Sequence, residues 1–243
     1  MLFNNNIHLD SISSTNNFLL SLRKNNIFSE GLYVTTDFQE NGKGQMNNSW
    51  ESEKKNNLLI SILIEPKISI NNIFDINRFV CLSIFDLLKL YDINALIKWP
   101  NDIIINNRKI AGILIENIFS NNIISHSVIG IGLNINQAKF LQYSPPATSM
   151  FLELINNFHT HQIKQQLLDI IEVRYKKLKI GYSDLNEYNN NLYLLEKSFR
   201  FMSNNKQFYG RIKTTLDNGT LVIYDESNGV EREFLNSELK YIF

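Results

Sequence analysis

Between Ala95 and Ile135 the chain carries three β-like apolar runs in quick succession: Ala95 to Trp99, Ile103 to Ile115 and Ile123 to Ile135. The middle run is interrupted by Asn106-Asn107, a pair that tolerates positive φ and so predicts a tight hairpin within it. Strands joined this closely pair antiparallel, because a parallel crossover needs a dozen or more connecting residues. A strictly alternating parallel α/β fold is therefore excluded.

Helical periodicity supplies the other layer. Phe18, Leu19 and Leu22 repeat at helical spacing between Ser14 and Lys24, with Ser14 or Thr15 as N-cap. Val80, Ile84, Leu87, Leu88 and Tyr91 mark a helix over residues 73–91, and Ile163, Leu167, Leu168, Ile171 and Tyr175 one face of a helical stretch over 147–180. Further strands are predicted over 32–36 and 58–64, and a short helix near 184–195. From about Glu196, brief β runs separated by Ser203-Asn-Asn, Asp217-Asn-Gly and Ser227-Asn-Gly predict a small barrel. The reading is α+β: a mixed sheet flanked by helices over residues 1–195, then a small β-barrel over 196–243.

Composition narrows the function. The 243 residues hold 24 Lys+Arg against 24 Asp+Glu, a net charge of zero that gives no overall basic field for nucleic acid. The longest apolar runs fall far short of the roughly 20 residues needed to cross a bilayer. Met1 to His8 has no signal-peptide character, so the chain reads as cytoplasmic. The single cysteine, Cys81, reads as a buried thiol, and the four histidines show no metal-ligand spacing.

Three segments hold the candidate chemistry. In the long polar connection after Thr36, Gly42-Lys-Gly44 is either a flexible turn or a cradle of backbone N–H groups and one cation for a carboxylate or phosphate. Lys98, Asn101, Asp102, Lys109 and Glu116 lie in an otherwise apolar double strand, where buried charge demands partners or ligands. Pro100 puts Asn101 and Asp102 at a strand break. Gly130 and Gly132, two apart in a strand, open a slot on one face for a ligand or a packed helix.

Taken in order, Ser14-Thr-Asn16, Gln39-x-x-Gly-Lys-Gly44 with Trp50, Lys98-Trp-Pro-Asn-Asp102, Lys109-Ile-Ala-Gly112 with Glu116, Gly130-Ile-Gly-Leu-Asn134 and Ala147-Thr-Ser149 closely resemble the catalytic part of the biotin protein ligases. The resemblance implies the fold shared with class II aminoacyl-tRNA synthetases and a C-terminal SH3-like barrel. It implies biotin and ATP as substrates with Mg²⁺, biotinoyl-AMP as intermediate, and a biotin carboxyl carrier protein as partner.

By the same resemblance, Ser14, Thr15 and Asn16 would hold the ureido end of biotin, and Gln39 would help hold biotin at the start of the glycine loop. Gly42, Lys43, Gly44 and Gln45 would close over its carboxylate and the phosphates. Lys109, with Lys43 the catalytic cations, would sit between carboxylate and α-phosphate, Gly112 and Gly130 would leave room for ligand, and Asn134 would reach the adenine. Asn101 and Asp102 would shape the nucleotide side, with the metal near Asp102. The family loop runs close to Gly-Arg-Gly-[Arg/Gln]-Arg-Gly, whereas this chain has Lys43, Met46 and Asn47 at three of those positions, which predicts weaker retention of the adenylate. Only 13 residues precede Ser14, so a monofunctional ligase without an operator-binding domain is expected. The alternatives are a lipoate or octanoate ligase or transferase of the same fold, and a catalytically weakened biotin-binding module. A homodimer through a sheet edge stays open.

Overall fold

The computed structural model describes every residue except Met1, Asn26, Met46 and Asn47. In chain order the main elements are β1 (Asn5–Leu9), α1 (Thr15–Ser21), β2 (Leu32–Thr36), β3 (Asn57–Ile64), β4 (Ile68–Ser69), α2 (Ile73–Lys89), β5 (Leu96–Lys98), β6 (Asp102–Ile105), β7 (Arg108–Ser120), β8 (Ile123–Asn134), α3 (Met150–Leu154), α4 (Thr160–Lys179) and α5 (Leu185–Asn190). There follow β9 (Ser198–Ser203), β10 (Lys206–Thr215), β11 (Leu221–Asp225), β12 (Val230–Phe234) and β13 (Lys240–Tyr241).

The first eight strands form one mixed sheet in the order β1-β2-β3-β8-β7-β6-β5, with β4 beside β8. Only β1 and β2 run parallel; the pairs from β2 to β5 are antiparallel. The period-2 alternation of strand side chains separates two faces. On one, Leu58, Ile60, Ile62 and Ile64 of β3, Ile129, Ile131 and Leu133 of β8, and Ile103 and Ile105 of β6 join α2 and α4 in the main core. On the other, Leu63 and Val128 pack with Leu19 of α1. Each fully buried Ile or Leu contributes about 1.5–3 kcal/mol, so the α2/α4 side carries most of the stability and frees the α1 side for polar residues.

The structure corrects three expectations about elements. Strand β1 was not predicted: in Asn-Asn-Ile-His-Leu only Ile7 and Leu9 alternate, too short a signal to mark a strand, and an edge strand needs little more. The helical stretch over 147–180 is two helices. Ser149 caps α3 through Leu152 N at 3.2 Å, Ile155 ends it at φ +52°, and α4 begins only at Thr160. Residues 147–149 are extended, with Ala147 bridged in parallel to Lys109. The C-terminal strands make an antiparallel sheet in the order β12-β11-β10-β9-β13 whose two edge strands do not pair with each other, so its SH3-like barrel is not closed by backbone pairing.

Candidate active site

A cavity of about 390 Å³ opens on the α1 face of the mixed sheet. Its floor is glycine. Gly130 of β8 lies opposite Leu114 of β7 on one side and Ser61 of β3 on the other, and Gly132 lies opposite Gly112. Both gaps are filled by the protein itself: a Cβ at Gly130 would overlap Asn16 Oδ1, and one at Gly132 would overlap the Trp50 ring. The slot read from the sequence thus admits a packed helix at one end and an indole at the other.

One end of the cavity is uncharged and polar. Ser14 caps α1, with Asn17 N at 3.5 Å from its Oγ, and Ser14, Thr15 and Asn16 are all buried. The chain before α1 runs beside residues 38–41, with Ile12 bridged to Gln39, and this brings Gln39 onto the cap. Gln39 Oε1 accepts from Thr15 N at 2.8 Å and lies 3.1 Å from Thr15 Oγ1.

The other end is charged. Asp102 is buried, with Lys109 Nζ 2.6 Å from one carboxylate oxygen and Lys98 Nζ 3.1 Å from the other. Burial alone would raise the Asp102 pKa, but the two ammonium groups outweigh it and hold the carboxyl below its ordinary range. Lys109 also stands 5.4 Å above the Trp50 ring, and Lys98 4.8 Å above that of Tyr241.

A β-bulge puts Lys109 here. Ile103 pairs with Ala111 but Ile104 pairs with Lys109, so Ile110 is an extra residue on β7. The bulge shifts the alternation by one, and Lys109 and Gly112, an odd number apart, share a face. The Lys109 backbone is clamped on its outer side by Pro146 O at 2.7 Å and Thr148 N at 2.9 Å. The two basic residues after the Asn106-Asn107 turn point apart: Arg108 faces outward to Glu153 at 2.9 Å, while Lys109 turns inward.

The polar connection after Thr36 folds into a narrow loop at the cavity mouth. Lys43 bridges Ser49, Gly44 N donates to Asn48 O at 2.7 Å and Trp50 N to Gly42 O at 2.8 Å. Lys43, Gly44 and Gln45 line the cavity; Lys43 Nζ reaches Asn17 Oδ1 at 3.2 Å. Gly42 is buried behind the loop, where a Cβ would press on Trp50 O and Gln39 Nε2. Met46 and Asn47 lie outside the described residues.

Of the other predicted positions, Asn101 lines the cavity but commits its amide to Ile113 O at 2.6 Å. Asn134 is buried at the end of β8 beside the cavity, not on its lining, donating to Thr148 O at 2.9 Å while its Oδ1 has no partner among the described residues. His8, which shows no metal-ligand spacing in the sequence, has acidic neighbours in space: Asp37 Oδ1 lies at 3.5 Å, with Asp10 close by.

Sequence reasoning missed two contributions. Ser61 is a lone hydroxyl among apolar neighbours in β3, and that isolation was its signal. The C-terminal segment was assigned no part in the site. Yet Asn236, Lys240, Tyr241 and Phe243 line the cavity, and Asn236 Nδ2 donates to Gln45 Oε1 at 2.6 Å. No local pattern marks that return of the chain.

Comparison with known proteins agrees with this architecture. The Biotin/lipoate A/B protein ligase family model matches residues 8–134. The bifunctional ligase/repressor BirA of Bacillus subtilis (strain 168) is 27% identical over 232 residues, covering 93% of this chain and 71% of its own. That of Bacillus spizizenii is 34% identical over 132 residues, 54% of this chain and 40% of its own, so the chain matches well under half of that relative's length. The structure of a biotin protein ligase from Aquifex aeolicus in complex with biotin and ATP superposes with a TM-score of 0.80 at 23% identity, over 99% of this chain and 100% of that one, a likeness of fold. The matched segment carries the capped helix, the glycine loop, the bulged lysine and the glycine floor, and the chain belongs to the biotin/lipoate A/B protein ligase family.

Proposed function

We propose that this protein is a biotin protein ligase, joining biotin to ATP to give biotinoyl-AMP and pyrophosphate and then passing the biotinoyl group to one lysine of a biotin carboxyl carrier protein. The observation that carries this reading is the Lys109 ammonium, held by Asp102 at the charged end of a cavity whose other end offers only neutral hydrogen-bonding groups. Such a cavity suits a substrate with an uncharged polar ring at one end and a carboxylate at the other.

In the first step a carboxylate oxygen attacks the α-phosphorus and the bond to the β-phosphate oxygen breaks. Two anions must approach, and charge grows on the transferring phosphorus. Lys109 would neutralise both, Lys43 would meet the phosphates from the mouth, and the Gly42–Trp50 loop would exclude water from the mixed anhydride. No protein nucleophile is required. Asn134 Oδ1, beside the cavity and without a partner among the described residues, supports a role as acceptor for the adenine amino group.

Asp102 is the only acidic side chain among the described residues lining the cavity. Lys109 and Lys98 take both of its oxygens, so Mg²⁺ that arrives on the nucleotide would be held by phosphate oxygens and neutralise their charge, and Asp102 would join it only by giving up a lysine.

In the second step the carrier amine attacks the acyl carbon and AMP leaves. Asp102, held below the ordinary carboxylate range, is a weak base, so its lysine-bound form favours loss of the amine proton to solvent. No helix among the described residues is long and apolar enough to span a membrane.

The test is pyrophosphate release with biotin or lipoate as acid, followed by labelling of a purified carrier domain. Release with biotin and carrier labelling support the reading. Release with lipoate alone makes it a lipoate ligase, and biotin binding without release makes it a binding module.

A further inference from the structure

Asn16 bridges three strands. Its Nδ2 donates to Leu114 O at 3.2 Å and to Glu116 Oε2 at 2.8 Å, both on β7, while its Oδ1 lies 2.5 Å from Ser61 Oγ on β3, above the gap left by Gly130 on β8. With both Nδ2 hydrogens assigned, Asn16 Oδ1 can only accept. An amide oxygen carries no proton, so Ser61 donates to Asn16. The Ser61 proton is then used, so the 2.7 Å contact between Ser61 Oγ and Thr15 Oγ1 takes its proton from Thr15, in preference to the longer 3.1 Å contact of Thr15 Oγ1 with Gln39 Oε1, which already accepts from Thr15 N. Gln39 Oε1 keeps the Thr15 N–H, and Gln39 Nε2 makes no hydrogen bond among the described residues.

The chain therefore has one polarity, running from Thr15 through Ser61 and Asn16 to Glu116. It leaves the Thr15 oxygen as an acceptor at the cavity and Gln39 with an amide donor to spare. Neither Ser61 nor Glu116 lines the cavity.

We propose that Ser61 and Glu116 are positioning residues for specificity: acting through Asn16, they fix the direction of the Thr15 hydroxyl, so that this end of the cavity accepts from a ring N–H and donates to a ring C=O, selecting a cyclic urea over a cyclic guanidine. This rests on the reading of the cavity as a biotin site. Without Glu116, Asn16 loses its strongest acceptor and is free to turn over. Without Ser61, its oxygen loses its donor and Thr15 can reverse its proton toward Gln39.

The experiment is calorimetric titration of the full chain, without ATP, with biotin and with 2-iminobiotin, whose protonated guanidine donates where biotin accepts. Wild type, Ser61→Ala, Glu116→Ala and Glu116→Gln are compared, with melting temperatures measured for each. Wild type is expected to prefer biotin by at least about 100-fold. In Ser61→Ala and Glu116→Ala that preference is expected to fall tenfold or more. In Glu116→Gln, whose amide oxygen still accepts from Asn16, it is expected to recover to within threefold, with KM for ATP unchanged throughout. Should Glu116→Ala fail to fold, Ser61→Ala against Glu116→Gln carries the comparison. Equal weakening of both ligands in the alanine variants would overturn the inference while leaving the biotin reading intact. A wild type that binds neither ligand would overturn both.

Discussion

Lys109 reaches Asp102 across a β-bulge, its ammonium 2.6 Å from the carboxylate, while Lys98 holds the second oxygen at 3.1 Å. The arrangement makes a buried carboxylate dependent on two cations. Because the folded-state pKa of Asp102 is depressed below its unfolded value of roughly 3.9, the group adds stability at all pH values above that value and loses it as pH falls through the folded pKa. Urea denaturation between pH 2 and 7 should show a shallower acid limb in Asp102→Asn than in wild type. Coincident limbs would show that Asp102 contributes nothing to acid lability.

The same pair separates charge from position. Lys98→Ala leaves Asp102 with Lys109 in place, whereas Lys109→Ala removes the cation on the glycine floor. Biotin-dependent pyrophosphate exchange is expected to fall by about 100-fold or more in Lys109→Ala, the scale of losing one preorganised electrostatic partner, and by much less in Lys98→Ala. Equal losses would place the essential charge elsewhere.

Gly132 lies under the Trp50 ring, so Gly132→Ala must displace the indole. Trp50 fluorescence should shift to longer wavelength, and biotin-dependent pyrophosphate release should fall with it. An unchanged emission spectrum would mean that the loop seats the indole by other contacts. Gly112, whose Cβ would lie 3.0 Å from the same ring and 3.2 Å from Lys109 Nζ, should tolerate alanine better, since lysine can yield.

How far the sequence led is clearest at these residues. The period-2 alternation of β7 and β8 was legible, and with it the common face of Gly130 and Gly132. The capped helix was legible from Ser14. Lys109 was singled out by its motif, but its direction was not, because one bulged residue, Ile110, reverses the alternation and nothing in an apolar run of isoleucines marks which residue is extra. β1 was hidden by its polarity, and the role of Asn236 and Tyr241 by the distance along the chain over which the C-terminal sheet returns to the cavity.

Away from the cavity, Arg174 on α4 is buried against Asp86 of α2 at 2.7 Å, Glu187 of α5 at 2.7 Å and Asp184 at 3.3 Å. Removing the cation leaves the buried Asp184 uncompensated beside the part-exposed Asp86 and Glu187. Burial already keeps Asp184 above the ordinary carboxylate range despite Arg174. Arg174→Met should cost about 3 kcal/mol of stability at neutral pH, read from urea denaturation, and less in acid, where the carboxylates are protonated. A neutral-pH loss under 1 kcal/mol would show that the cluster is solvated.

The loop departures carry their own test. Lys43 keeps a charge but lacks the forked geometry of arginine. The double variant Lys43→Arg, Met46→Arg should release biotinoyl-AMP more slowly than wild type by several-fold, measured by filter-binding of the labelled adenylate. Equal dissociation rates would remove the loop from the account of intermediate retention.

The most direct test of the whole reading is transfer of labelled biotin to a purified carrier domain with ATP and Mg²⁺, comparing wild type with Lys109→Ala at matched folded concentration. Labelling of the carrier lysine by wild type, lost by 100-fold or more in the variant, is the predicted result. Biotin binding by wild type with no labelled carrier and no pyrophosphate would contradict it, leaving a cavity that holds biotin without activating it.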